Sequence, residues 1–76
     1  MKIHSGKYVR RWSDRAGVWL AVQTPGGVIA VKVREQHWDE AYRICDTVRY
    51  AYRGGRPFYL SHDEVMAKEW ASDSGD

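Results

Sequence analysis

The chain has 76 residues, 12 of them Lys or Arg, 10 Asp or Glu, and a formal net charge of +2. It is too apolar and aromatic for a disordered chain and too short for more than one small domain. A single cysteine, Cys45, excludes an internal disulfide and a zinc finger, so four Trp and five Tyr must carry much of the core.

The longest apolar runs, Val18 to Val22 and Val28 to Val31, fall far short of a membrane span. No apolar stretch follows Lys2, so no signal peptide is expected, and a lone thiol fits a cytoplasmic protein. The charge is unevenly placed. Residues 1–35 hold seven basic and two acidic side chains and residues 36–76 five and eight, so the halves stand at +5 and −3. That asymmetry predicts a face that attracts anions.

Tyr8 to Trp12 reads as a first strand, followed by a turn at Asp14-Arg15-Ala16-Gly17. Gly17 to Gln23 is a second strand. Thr24-Pro25-Gly26-Gly27 is a turn signal, with Gly26 at the position that needs positive φ. Val28 to Arg34 is a third strand, paired with the second as an antiparallel hairpin. Alternation puts Val18, Leu20, Val22, Ile29, Val31 and Val33 toward the core, leaving Trp19 beside Lys32 and Arg34 on the other face.

The period then changes. Trp38, Ala41, Cys45, Val48 and Tyr52 recur at spacings of three and four, which predicts an amphipathic helix over residues 37–53 that Gly54-Gly55 stops. Arg56 to Leu60 is extended, a candidate fourth, edge strand. Ser61 and Glu64 match a capping box, with Leu60 and Val65 as its hydrophobic staple, and a short helix from His62 to Ala71 follows with Val65, Met66 and Trp70 inward. The expected architecture is α+β. A three-stranded antiparallel sheet, or four-stranded with residues 56–60, packs on one main helix, with a short C-terminal helix. Residues 1–71 form the domain and 72–76 a flexible acidic tail.

No catalytic or metal constellation emerges, and no cofactor is implied. His4, His37 and His62 lack metal-ligand spacing, and the acids after His37 and His62 open predicted helices, where they suit the dipole. Cys45, in the middle of the apolar stripe, is expected to be a small buried hydrophobe. Gly54-Gly55-Arg56 lacks the glycines and strand–helix context of a phosphate loop, yet Arg53 and Arg56 flank it and suit a phosphate or carboxylate.

The basic-aromatic strands carry the main functional signal. Tyr8, Arg10 and Trp12 share a face by period two, with Arg11 between them. Joined by Trp19, Lys32 and Arg34, they would interleave rings with cations, a surface that stacks bases and neutralises phosphates. The same residue types dominate protein-binding hot spots, and the plain alternative is that Tyr8 and Trp12 fill a thin core.

Strand, strand, strand, helix over residues 8–53 resembles the small arm-type DNA-binding domains of phage integrases, which implies a sheet placed in a DNA groove. The general build also resembles small phage-encoded antagonists of host nucleoprotein machinery, anti-CRISPR proteins among them. The expectation is therefore a non-enzymatic binding protein, an inhibitor or adaptor that covers a surface of a larger protein or nucleoprotein complex. The alternative is a nucleic-acid-binding domain. The candidate binding residues are Tyr8, Arg10, Arg11, Trp12, Trp19, Lys32, Arg34, Arg53 and Arg56, and a homo-oligomer is compatible with so small a core.

Overall fold

The hairpin expected between the second and third strands forms, with its predicted Val and Leu residues inward. In the computed structural model, which describes residues 2–67, strands β1 (His4–Asp14), β2 (Gly17–Thr24) and β3 (Gly27–Val33) form an antiparallel meander. Val18, Leu20, Val22, Val31 and Val33 point inward and are at most 2% exposed. The turn differs in one detail: Gly27 rather than Gly26 has positive φ.

The helix expected over residues 37–53 does not form. A 3-10 turn at Glu35–His37 leads into α1 (Trp38–Ala41), and the chain then extends into β4 (Thr47–Arg53). Val48 and Tyr50 of β4 face the core, while Ala51 is buried on the opposite face under Leu60 and Val65. A strand covered on both faces loses its clean alternation, and here the run mimics a helical stripe. The β-branched and aromatic content of Thr47 to Tyr52 suits a strand, and ladder partners on both sides decide it. Cys45, in the link between α1 and β4, is exposed rather than buried.

Gly54 and Gly55 are therefore a hairpin turn, not a helix stop. Both have positive φ, 58° and 78°, the requirement of the two-residue turn that matches strand twist. They join β4 to β5 (Arg56–Tyr59). That strand lies inside the sheet, not at an edge: it pairs antiparallel with β4 and parallel with β3 through Lys32 and Phe58.

The spatial order is β1-β2-β3-β5-β4, closed by β4 pairing with the start of β1. The architecture is thus a closed five-stranded barrel with one short helix between β3 and β4, replacing the expected sheet on a main helix. It has the Greek-key connectivity of an OB-fold, and the likeness to integrase arm domains lapses with the missing helix.

β1 must serve two neighbours, pairing with β4 through His4 to Lys7 and with β2 from Lys7 onward. Gly6 permits this bend. A Cβ there would sit 2.3 Å from Val22 Cγ1 and 2.7 Å from the Gln23 carbonyl oxygen, both far inside contact distance. At the other end of the chain the capping box forms as expected. Glu64 N–H donates to Ser61 Oγ at 3.2 Å and Ser61 N–H to Glu64 Oε1 at 3.0 Å. Leu60 and Val65 are buried together, and residues 62–67 are helical (α2). The expected extension of this helix to Ala71, the inward Trp70 and the acidic tail at 72–76 lie outside the described residues.

Candidate nucleic-acid interface

A bulge in β1 sorts the candidate residues. Tyr8 pairs with Val22 and Arg10 with Ala21, so Val9 is an extra residue between them. One inserted residue reverses the phase of alternation. Tyr8, expected beside Arg10 and Trp12, instead packs half-buried against the core. Arg11 leaves the candidate face as well. Its guanidinium donates to the carbonyls of Ala41 (3.0 Å) and Ile44 (3.1 Å) and lies against the rings of Tyr8 and Tyr42. The Ala41 carbonyl ends α1, where orphan acceptors need donors, and that of Ile44 lies in the link that follows.

The remaining residues gather on the outer face. Trp12 pairs with Trp19, Trp19 with Lys32, and Lys32 with Phe58, forming one row across β1, β2, β3 and β5. At the usual strand spacing this row is roughly 14 Å long. Trp12 and Trp19 are half-buried by each other, their planes 8° apart. Arg10 lies 4.6 Å from the Trp12 ring centroid and Lys32 4.5 Å from that of Trp19. Arg34 and Arg53 lie 5.0 and 5.5 Å from that of Phe58. Every ring of the row thus carries a cation.

The loop between β1 and β2 is tied to this row. Trp19 Nε1 donates to Asp14 Oδ1 at 3.0 Å, and the Ala16 N–H donates to the same oxygen at 2.8 Å. The Trp19 hydrogen bond is the main cause of a lowered Asp14 pKa. Lys32 Nζ donates to the Ala16 carbonyl, so the cation over Trp19 also fixes the turn.

At the other end of the row, Lys32, Arg34, Arg53, Arg56, Pro57 and Phe58 line a depression of about 240 Å³. Arg34 is held from below. It donates to the Tyr59 carbonyl at 3.1 Å and pairs with Glu64. Burial disfavours the Glu64 charge, but hydrogen bonds from Arg34 and the Ser61 N–H, with the charges of Arg34 and His37, outweigh it and bring the pKa down to about 2. His37 Nε2 lies 3.1 Å from Glu64 Oε1 without hydrogen-bond alignment.

Comparison with protein-family models, curated proteins and solved structures finds no match to this chain.

Seven of the nine expected residues are brought together: Arg10, Trp12, Trp19, Lys32, Arg34, Arg53 and Arg56. Tyr8 and Arg11 are not. Sequence reasoning missed Phe58, whose place between two strands depends on the parallel β3–β5 contact. Alternation from Tyr59, once that residue is known to be buried, would have turned Phe58 outward.

Proposed function

We propose that this protein binds single-stranded nucleic acid on the outer face of β1, β2, β3 and β5, without catalysing a reaction. The observation that carries the reading is the row Trp12–Trp19–Lys32–Phe58, in register and flanked by Arg10, Arg34 and Arg53. Unpaired bases stack on such rings, and the interleaved cations neutralise phosphates. A duplex hides its base faces and gains only the ionic part. The connectivity adds an argument by analogy, since OB-fold barrels bind oligonucleotides on the face of strands 2 and 3, between the 1–2 and 4–5 loops. The row here runs between those same two loops.

Anisotropy of a labelled oligothymidylate against its duplex, at two salt concentrations, tests this. Tighter binding of the single strand, weakening steeply with salt, is expected. Equal affinity for both forms, or no binding at low salt, counts against it.

A second reading, a module that covers a surface of a larger protein, draws support from a different feature. A groove of about 400 Å³ beside β4 is lined by Ile44, Leu60, Val65 and the 55% exposed Met66, with Glu40 and His62 among the polar residues. Exposed apolar grooves of this kind suit a partner side chain. Loss of partner binding on Met66→Glu, with oligonucleotide binding kept, would separate the two readings.

A further inference from the structure

The interface is open at one end and walled at the other. The residue after Phe58 in the row is Ala51 of β4, which is completely buried. Leu60 and Val65, together with Ile3, cover it. A strand laid across Trp12, Trp19 and Lys32 toward Phe58 therefore meets the capped start of α2 instead of open sheet.

Cations concentrate at this wall. Arg53 and Arg56 are directly opposite each other across the Gly54-Gly55 turn. Like charges in that position repel. Among the described residues neither arginine forms an ion pair with an acid, and both line the depression with Lys32 and Arg34. Of these four, Arg34 is balanced by the Glu64 carboxylate, and Lys32, tied to the Ala16 carbonyl, acts on the charge of Asp14, which leaves Arg53 and Arg56. Phe58 supports the guanidinium groups of Arg34 and Arg53; Arg34 is already engaged with Tyr59 and Glu64, and Arg53 is held as a preformed fork for an oxyanion. Two unbalanced guanidinium groups beside Arg34 exceed what the single charge of one phosphodiester needs. A terminal phosphomonoester carries about −1.5 to −2 charges at pH 7 and has three free oxygens.

We propose, resting on the single-strand reading above, that the depression between Arg53, Arg56, Arg34 and Lys32 receives the terminal phosphomonoester of a single-stranded nucleic acid. The strand's end stops at the Ala51–Leu60–Val65 wall, and its following bases run outward over Phe58 toward Trp19 and Trp12. The protein is thus a reader of phosphorylated strand ends.

The test uses the full chain and a short, internally labelled oligothymidylate with a 5′-phosphate, a 3′-phosphate or hydroxyls at both ends. One phosphorylated form should bind about tenfold tighter than the hydroxyl-ended form. In the doubly substituted Arg53→Gln, Arg56→Gln protein the ratio should fall to about one, with an unchanged circular dichroism spectrum. Equal affinities for all three oligonucleotides overturn the end-reading and leave the interface reading standing. Persistence of the preference in the substituted protein overturns it too. Competition by thymidine monophosphate as strong as by the phosphorylated oligonucleotide would make a free nucleotide the ligand and also overturn it. Failure of every oligonucleotide to bind removes the interface reading itself.

Discussion

Trp12 and Trp19 face each other across β1 and β2 with ring centroids 6.2 Å apart and planes nearly parallel. Each is braced by a cation, Arg10 on one and Lys32 on the other. Half-buried tryptophans so arranged contribute little to the core, which lies on the other face of the same strands. Trp19→Ala should therefore weaken single-strand binding by about 5- to 150-fold, the range for loss of one stacked base. The midpoint of urea unfolding should shift only slightly. A large loss of stability with unchanged binding would make Trp19 a packing residue instead.

Arg10 and Arg11 are neighbours in sequence with opposite assignments. Arg10→Glu should lower affinity and reduce the salt slope by about 0.7 for each phosphate contact removed. Arg11→Gln removes the charged donor from the Ala41 and Ile44 carbonyls. It should destabilise the fold by about 1.5–3 kcal/mol and leave the salt slope unchanged. Thermal melts and titrations of both variants check this, and identical behaviour of the two would refute the assignment.

Gly6 lets β1 curve from β4 to β2 past Val22. A methyl group there meets backbone as well as side chain, so relief needs a shift of β2 itself. Gly6→Ala should cost about 1–3 kcal/mol, read as a lower urea midpoint. An unaltered midpoint would show that the barrel closes without this close approach.

Glu64 links the α2 cap to Arg34 under the depression. Its folded pKa of about 2 lies below the unfolded carboxylate value of about 4.3. The carboxylate's stabilisation is thus complete above that unfolded value and disappears as pH falls toward 2. Glu64→Gln keeps the capping box but lacks the charge. The Tm gap between wild type and this variant should be widest near neutral pH and close between about pH 4 and 2. A gap that stays constant across that range would show that Arg34 gains nothing from the charge.

Features that depend on near neighbours are legible along the chain. The β2–β3 hairpin and its inward Val and Leu residues follow from period-two alternation. The Ser61–Glu64 box follows from side chains three residues apart, and the adjacency of Trp19 and Lys32 from hairpin register. The remaining features follow from long-range packing. Residues 47–53 became a strand because β1 and β5 offer ladders on both sides, and because burial of Ala51 from outside erased the alternation that would have revealed it. The extra residue at Val9 reversed the facing of Tyr8 relative to Arg10, an irregularity that residue types alone do not announce. Barrel closure then carried Phe58 and the arginines of the β4–β5 turn to the end of the Trp12–Trp19–Lys32 row. Contacts between residues distant in sequence depend on the whole chain's packing, so no local pattern could place that part of the interface.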